Sequence, residues 1–428
     1  MKKVFFISGL CIATLFANSQ VLKKIADRVK NRTEAKTNEK VDTKVDQSVD
    51  SAFSKTEKGI KDITKGNPDN KTTTADGSMT PNKIDASMVN SSSIKAYSKY
   101  DFVPGEKIIV LEDFMQDAVG DFPDKWNTNS SGEIVTIEGM IGHWLRINKQ
   151  GIFMPEFIDS LPDDFTFEYD LFCDNPGRIW SLYTNMVALG DRTHPENWQQ
   201  VANRFTFTVG TGEENSSSVI ERVRDNYTEA GSNTTTKKFT DKTKMVHIAV
   251  WRQKERIRVY FDEEKVWDMP KALAADAKPN AIVYWLQGPG QDASYYMGNL
   301  RLAVGVPDTR KKILEQNKWV THGILFDVNS ATIKPESYGS LKEIANVLKE
   351  IPDLKVKIVG HTDADGKDDA NLDLSKRRAA AVKDMLAKEF GIDASRMETD
   401  GKGESEPLDN NTTPAGKANN RRVEFIKI

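Results

Sequence analysis

The stretch Val356-Lys357-Ile358-Val359-Gly360-His361-Thr362-Asp363 decides the fold of the C-terminal part of this chain. Its first five residues predict a short strand, and the polar turn that follows ends in an acid, Asp363. A pattern of helical period then occupies residues 374–390 and includes Arg378. The sequence therefore sets an acid at a strand end and an arginine on the next helix, a pairing that suits a ligand carrying both charges.

Alternating strands and helices extend from this stretch over residues 320–428. Apolar residues at helical spacing occupy residues 341–351 and stop at Pro352-Asp353. Further strands are predicted at residues 323–327, 397–401 and 422–428. The resulting order, β-α-β-α-β-β, predicts a small α/β domain with its helices on one face of the sheet.

Residues 320–428 resemble the OmpA-like peptidoglycan-binding domain of outer-membrane proteins, peptidoglycan-associated lipoproteins and flagellar stators. The resemblance rests on segments that follow the family's order: Phe326-Asp327 with Asn329-Ser330 and Ile333, Gly360-His361-Thr362-Asp363, Gly366, Asn371, Leu374-Ser375, Arg378-Ala379 with Val382, Gly401-Lys402-Gly403-Glu404 with Pro407, and Asn420-Arg421-Arg422-Val423. The chain departs from the family at Lys417-Ala418-Asn419, where an arginine and small residues usually precede Asn-Arg-Arg.

The family's ligand is the diaminopimelate of the peptidoglycan stem peptide, held by the aspartate of the Gly-His-Thr-Asp turn and the arginine before alanine. The resemblance implies these roles for Asp363 and Arg378. The chemistry agrees, because diaminopimelate presents an ammonium and a carboxylate on one carbon and needs an acceptor beside a forked donor. Thr362 and Asn371 are expected to support the loop, with Asn371 a candidate helix cap. The expected wall of the site is Phe326, Asp327, Leu374 and Arg422.

No metal or cofactor is expected. The run Asp363-Ala364-Asp365-Gly366-Lys367-Asp368-Asp369 departs from a calcium loop, because lysine takes the place of a ligand and no glutamate closes a twelve-residue loop. The five histidines lack zinc spacing.

The middle of the chain, residues 99–306, predicts an all-β domain. Short runs such as Phe165-Thr166-Phe167-Glu168-Tyr169-Asp170-Leu171 alternate or are continuously apolar, and turn residues separate them. Many such strands imply two packed antiparallel sheets, a jelly-roll-like sandwich. The order of elements resembles the concanavalin A-like lectin and glucanase sandwich, with Gly120-Asp121-Phe122-Pro123-Asp124-Lys125-Trp126 and Gly298-Asn299-Leu300-Arg301 among the resembling pieces.

Two acids of the sandwich leave its role open. Alternation puts Glu168 and Asp170 on one sheet face, as in retaining glycosidases of this fold, but a third acid at regular spacing is missing. The simpler interpretation is a solvated strand face. The aromatic residues Trp180, Trp198 and Trp285 suit stacking on sugar rings and equally suit a sandwich core.

The N-terminal residues predict export. Lys2 and Lys3, an apolar run and small residues have the order of a secretory signal peptide over residues 1–19. Residues 20–98 are polar and read as a partly helical tether, and residues 307–319 read as a second linker. No transmembrane segment is expected, and the formal charge of −3 argues against nucleic acid as a partner.

Together these features predict a multidomain, non-catalytic cell-envelope protein, located in the periplasm, in the cell wall or at the outer membrane. Its C-terminal domain is expected to bind peptidoglycan, and its sandwich to bind a second partner, a glycan or an envelope protein. The alternative is a glycosidase held on the wall by the C-terminal domain and using Glu168 and Asp170.

Overall fold

The computed structural model describes residues 100–428 except 177–180, 213–215, 225–226, 241, 243, 289–292 and 306–307. The predicted signal peptide and tether lie outside the described residues and stay predictions. Among the described residues, no helix has the length and apolar character needed to cross a membrane.

The middle of the chain forms two antiparallel sheets. The first sheet has the order β13-β12-β11-β6-β15-β4-β3, with β1 also pairing with β15, and the second has the order β10-β9-β8-β7-β14-β5-β2. The strands are β1 Lys107–Glu112, β2 Trp126–Thr128, β3 Gly132–Val135, β4 Trp144–Ile147, β5 Gly151–Pro155, β6 Asp164–Cys173, β7 Ser181–Val187, β8 Arg204–Gly210, β9 Ser216–Arg224, β10 Tyr227–Thr236, β11 Met245–Gln253, β12 Arg256–Phe261, β13 Glu264–Met269, β14 Ala281–Gln287 and β15 Tyr295–Val304. A 3₁₀ helix, Pro195–Gln200, lies between β7 and β8.

The two sheets pack face to face around one apolar core. Tyr169 on β6 of the first sheet meets Tyr284 on β14 of the second edge to face, with ring centroids 5.5 Å apart. The hydroxyl of Tyr169 also lies 2.9 Å from that of Thr184 on β7, so its polar end is satisfied inside the core. Cys173 is buried in the same core, as expected of a small apolar residue. The two-sheet sandwich is thus confirmed, whereas the closer likeness to the concanavalin A-like fold stays a prediction.

The C-terminal part is a small mixed α/β domain, as predicted. Its sheet has the order β16-β19-β17-β18, with β17 parallel to β18 and antiparallel to β19. The elements are α1 Thr309–Gln316, β16 Lys318–Thr321, α2 Tyr338–Glu350, β17 Val356–His361, α3 Asp368–Lys388, β18 Met397–Gly403, α4 Pro414–Asn420 and β19 Val423–Lys427, with short 3₁₀ helices at Pro335–Ser337 and Ala394–Arg396.

Two details of this domain differ from the prediction. The first strand is β16, because residues 323–327 contribute only an isolated bridge between Phe326 and Ile333. The segment predicted as a linker contains α1, whose Ile313 is fully buried in the core of the domain. Asp308 caps that helix by accepting a hydrogen bond from the backbone N–H of Lys311 at 3.0 Å.

Helix α3 lies close against strands β17 and β18. A Cβ atom at Gly360 would collide with the backbone of Ser375, and one at Gly401 would collide with the backbone of Lys376. Only glycine permits this approach of helix to sheet. The close packing fixes the position of the helix that carries Arg378 relative to the loop that carries Asp363.

The sandwich and the α/β domain also contact each other. The side chain of Asn419 on α4 binds the backbone of Ile108 on β1 twice: its Oδ1 accepts from the Ile108 N–H at 3.0 Å, and its Nδ2 donates to the Ile108 carbonyl at 2.8 Å. Beside it, Ala418 packs against Ile108 and Ala303. Two of the three residues at which the sequence departs from the family pattern, Ala418 and Asn419, therefore hold α4 on the sandwich.

Candidate functional site

Asp363 stands in the loop that leaves strand β17. The residue is 8% exposed, and its Oδ2 accepts a hydrogen bond from Nη1 of Arg421. Its Oδ1 accepts from the backbone N–H of Asp365 at 3.3 Å. The acid of the loop is thus oriented by two donors and already has a cationic neighbour.

Arg378 projects from α3 toward the segment that follows β16. Its Nε donates to the carbonyl of Ser330 at 3.0 Å, and its guanidinium carbon lies 4.9 Å from the centre of the Phe326 ring. Burial lowers the pKa of Arg378, nearby Arg421 lowers it further, and Asp363 opposes both effects. The guanidinium remains charged, because an arginine is not deprotonated in a protein at neutral pH.

The predicted acid and arginine therefore lie near each other but do not pair directly. Asp363 pairs with Arg421, whereas Arg378 is held by a backbone carbonyl and an aromatic ring. Arg421 was not among the predicted site residues, although it stands in the Asn420-Arg421-Arg422-Val423 motif that carried part of the resemblance. The motif indicated that an arginine of this segment belongs to the site, but it did not indicate whether Arg421 or Arg422 contacts the loop of Asp363.

Asn371 supports the loop by donating rather than by capping. Helix α3 begins at Asp368, so Asn371 lies in its first turn, and the predicted role as N-cap is wrong. Its Nδ2 donates to the carbonyls of Asp363 at 3.3 Å and Asp365 at 3.1 Å, and to the carboxylate of Glu404. These bonds tie both ends of the loop to the helix that carries Arg378.

The other predicted site residues occupy different surroundings. Thr362 is buried, and its hydroxyl has no hydrogen-bond partner among the described residues. Asp327 is exposed and contacts Arg378 only through its carbonyl, while Leu374 is buried on the inner face of α3. Arg422 is 3% exposed, and its Nε and Nη2 both lie 2.9 Å from Oε1 of Glu424, so its charge is balanced inside the fold.

The acids of the sandwich form a second polar cluster, and their predicted solvated face is wrong. Glu168 is 3% exposed. The strand register puts it opposite Arg301, whose Nε lies 3.3 Å from its Oε1. Burial by itself raises the pKa of Glu168, but Arg301 and His247 outweigh it and hold the pKa below its usual value.

His247 links Glu168 and Asp170. Its Nδ1 lies 2.7 Å from Oδ1 of Asp170, and its Nε2 lies 3.4 Å from Oε2 of Glu168. Asn299 donates to the other oxygen of Asp170 at 2.8 Å. Although burial opposes the charged form, these carboxylates hold the pKa of His247 well above its ordinary value. Each acid of the cluster thus has a cationic partner within the protein.

The aromatic residues proposed for sugar stacking are only partly available. Trp198 is 5% exposed and packs against Trp285, with ring centroids 5.6 Å apart. Trp285 is half-buried and forms a tilted pair with Tyr183, at 4.7 Å between centroids. Trp180 lies outside the described residues.

Comparison with known proteins identifies the C-terminal domain. Residues 325–421 match the model of the OmpA family. The chain is 45% identical over 104 residues to the probable lipoprotein YiaD of Escherichia coli (strain K12), a match that covers 24% of this chain and 47% of that protein. It is 42% identical over 101 residues to outer membrane porin F of Pseudomonas aeruginosa, covering 24% of this chain and 29% of that protein.

A third relative is the peptidoglycan-binding protein ArfA of Mycobacterium bovis, 40% identical over 108 residues, which cover 25% of this chain and 33% of that protein. The chain thus spans less than half the length of these relatives. They confirm the predicted association with the cell envelope. Residues 325–421 of this chain belong to the OmpA family.

Proposed function

We propose that the C-terminal domain binds peptidoglycan without a covalent bond, and that Asp363 and Arg378 grip the diaminopimelate of its stem peptide. One observation carries the proposal. Arg378 is a partly buried cation whose hydrogen bonds go to backbone carbonyls, beside a loop acid whose orientation is fixed. A cation kept partly out of water and without a carboxylate favours an anionic ligand.

The geometry sets which atoms meet the ligand. Nε of Arg378 is engaged by the Ser330 carbonyl at 3.0 Å, whereas Nη2 has only a weak contact of 3.5 Å with the Asp327 carbonyl. The two terminal nitrogens are therefore the donors for a ligand carboxylate, which they bind as a fork. The ligand ammonium takes a place beside the Asp363 carboxylate, where it competes with Arg421.

A single site of this kind binds modestly. Hydrogen bonds to charged groups contribute roughly 1.5 to 3 kcal/mol each, and association itself costs several kcal/mol. The wall polymer repeats the same ligand many times. A high local concentration of ligand therefore retains the protein on the wall even when one contact dissociates quickly.

The sandwich has a separate role in this proposal, the binding of a second partner. The half-buried pair of Tyr183 and Trp285 on the second sheet offers a stacking surface for a glycan. The alternative of a wall-anchored glycosidase requires carboxylates that reach a substrate. Glu168 is 3% exposed and Asp170 is bound by His247 and Asn299, so this cluster argues against that role.

Sedimentation with isolated sacculi tests the proposal. The full chain is expected to pellet with sacculi, and the double variant Asp363→Ala, Arg378→Ala is expected to stay in the supernatant. Arg377→Ala is the matched control, because it removes a neighbouring arginine whose side chain is 52% exposed and pairs with Asp373. A double variant that pellets like the unchanged protein refutes the role of these two residues.

A further inference from the structure

A cavity lies where the sandwich meets the α/β domain. Its volume is about 160 Å³, which is ample for a carboxylate group or several water molecules. Ile108, Leu111 and Arg301 of the sandwich line one side, and Phe326, Arg378 and Arg421 are among the residues of the other side. The cavity therefore includes the arginine proposed to grip diaminopimelate and the arginine that pairs with Asp363.

An excess of positive charge in its lining makes this cavity suitable for an anion. Of the arginines that line it, Arg301 is balanced by Glu168, Arg421 by Asp363 and Arg422 by Glu424. Arg378 pairs with no carboxylate among the described residues, so the lining keeps an excess positive charge. Opposite charge is what such a site attracts.

A buried histidine adds an independent observation. His361 lines the cavity and is 2% exposed, and neither of its ring nitrogens has a hydrogen-bond partner among the described residues. A carboxylate oxygen, Oε2 of Glu424, lies 3.6 Å from Nε2, beyond hydrogen-bond distance. Buried polar groups are normally hydrogen-bonded, so an imidazole that lines a cationic cavity and has only this long contact with a carboxylate points to a ligand that supplies a hydrogen bond.

We propose that the ligand site is composite, with the sandwich supplying the second wall. This inference rests on the proposed function: while Asp363 and Arg378 hold one end of diaminopimelate, a second carboxylate of the same stem peptide enters the cavity beside Arg301 and Leu111. The carboxylate has two possible sources, the glutamyl residue before diaminopimelate and the other carboxyl group of diaminopimelate itself. The sandwich then acts as part of the peptidoglycan site and not only as a separate module.

The test uses the full chain and three soluble peptides. The first is L-Ala-γ-D-Glu-meso-diaminopimelate, and the others carry an amide in place of one carboxylate, at the glutamyl residue or at the C-terminal carboxyl group of diaminopimelate. Calorimetric titration of the unchanged protein is expected to show that one of the two amidations weakens binding about fivefold or more. The amidation that does so identifies the source of the carboxylate.

Leu111→Glu tests the wall itself. This half-buried residue lines the cavity opposite Arg301 in the strand register, so a carboxylate placed there competes with that of the ligand. We expect Leu111→Glu to weaken binding of the unamidated tripeptide about fivefold. Its affinity should then equal that for the peptide whose amidation weakens binding to the unchanged protein. Leu111→Gln, of the same size without charge, separates charge from shape. Ile109→Glu, at a position 42% exposed and outside the cavity lining, is the control on the same strand.

The outcomes separate the two proposals. Absence of tripeptide binding by the unchanged protein overturns both. Binding that neither amidation changes by more than about twofold overturns the composite site and leaves the role of Asp363 and Arg378 intact. The composite site is also overturned, with the role of Asp363 and Arg378 left intact, if Leu111→Glu binds all three peptides as the unchanged protein does. An equal loss of binding in Ile109→Glu and Leu111→Glu has the same meaning.

Discussion

Two places in this molecule combine acids with arginine, and they differ in how the charges are balanced. In the sandwich, Glu168 lies directly across the strand pair from Arg301, and Asp170 lies across from His247. In the α/β domain, Asp363 pairs with Arg421, whereas Arg378 meets only backbone carbonyls and the ring of Phe326 among the residues that the structure describes. The same residue types therefore neutralise one another in the sandwich, whereas in the α/β domain they leave the candidate site with an arginine for which we propose an anionic ligand.

The secondary structure explains this difference. Facing strands present side chains to each other at short, fixed spacing, so oppositely charged neighbours neutralise one another within the sheet. The loop after β17 and helix α3 are not held together by a strand ladder, so no fixed register places a carboxylate opposite Arg378. Balance of charge, more than the presence of acids, distinguishes the structural cluster from the candidate site.

The largest expected effect comes from breaking the sandwich cluster. Glu168→Leu leaves Arg301, which is 9% exposed, without its carboxylate. The free energy of unfolding of the sandwich should fall by about 3 to 5 kcal/mol, the cost of an uncompensated buried charge. Urea unfolding followed by tryptophan fluorescence measures it.

The control for that change is an exposed pair on the same sheet. Glu133→Leu removes a partner of Arg146 whose side chain is 41% exposed, and should cost less than about 1 kcal/mol. If both variants lose the same small amount of stability, Glu168 does not compensate a buried charge on Arg301.

The pH dependence of stability sharpens the comparison. Because the folded pKa of His247 lies well above 6.5, its contribution is complete below that pH and is lost as the pH rises through the folded value. Glu168 and Asp170 have lowered pKa values, so their contribution is lost as the pH falls below their ordinary values near 4. The stability advantage of the unchanged protein over His247→Gln should therefore be greatest between about pH 5 and 6.5.

Measured unfolding free energies of the two proteins from pH 5 to pH 9 test this expectation. The difference is expected to reach about 1.5 to 3 kcal/mol near pH 6 and to shrink above it. A difference that is constant over the whole range would mean that protonation of His247 does not stabilise the cluster.

A smaller loss of stability is expected from breaking the contact between the sandwich and the α/β domain. Asn419→Ala removes both side-chain bonds to the backbone of Ile108 and leaves that buried backbone unpaired, which should cost about 1 to 3 kcal/mol. Faster hydrogen exchange of the Ile108 amide reports the loss directly. Lys417→Ala, on the same helix, removes only a partly exposed pair with Asp365 and serves as the control. Unchanged exchange at Ile108 in Asn419→Ala would show that this contact does not hold the strand.

The smallest effect is expected beside the candidate site. Arg377 and Asp373 form an exposed pair one helical turn apart, worth about 0.3 to 0.5 kcal/mol. Arg377→Ala should therefore change neither the unfolding midpoint noticeably nor the affinity for sacculi. A loss of sacculus binding in this variant would mean that general positive charge, and not the position of Arg378, retains the protein.

The sequence predicted the sandwich where its strands alternate clearly or are continuously apolar. Strand β6, which contains the run from Phe165 to Leu171, was expected. Strand β10 was not, because Tyr-Thr-Glu-Ala-Gly-Ser-Asn-Thr-Thr-Thr has no apolar alternation and lies at the edge of its sheet. Threonine-rich edge strands depend on pairing with a neighbour, which one segment does not reveal.

For the candidate site, the sequence proposed a set of residues but did not predict the contacts that they make. The family motif pointed to Asp363 and Arg378, but the pairing of Asp363 with Arg421 joins residues far apart in the chain. The contact of Asn419 with Ile108 spans 311 positions, a relation that no local pattern encodes. Residue types and spacing predicted the elements, whereas tertiary packing decided the partners.

The most direct test of the central claim compares two stem tripeptides, L-Ala-γ-D-Glu-meso-diaminopimelate and its lysine counterpart, which lacks the carboxylate beside the free ammonium. Calorimetric titration is expected to show that the unchanged protein binds the diaminopimelate peptide about tenfold or more tightly, because we propose that Arg378 binds that carboxylate. In Arg378→Ala the two affinities should become equal. If the preference for diaminopimelate persists in Arg378→Ala, the account of the site is contradicted.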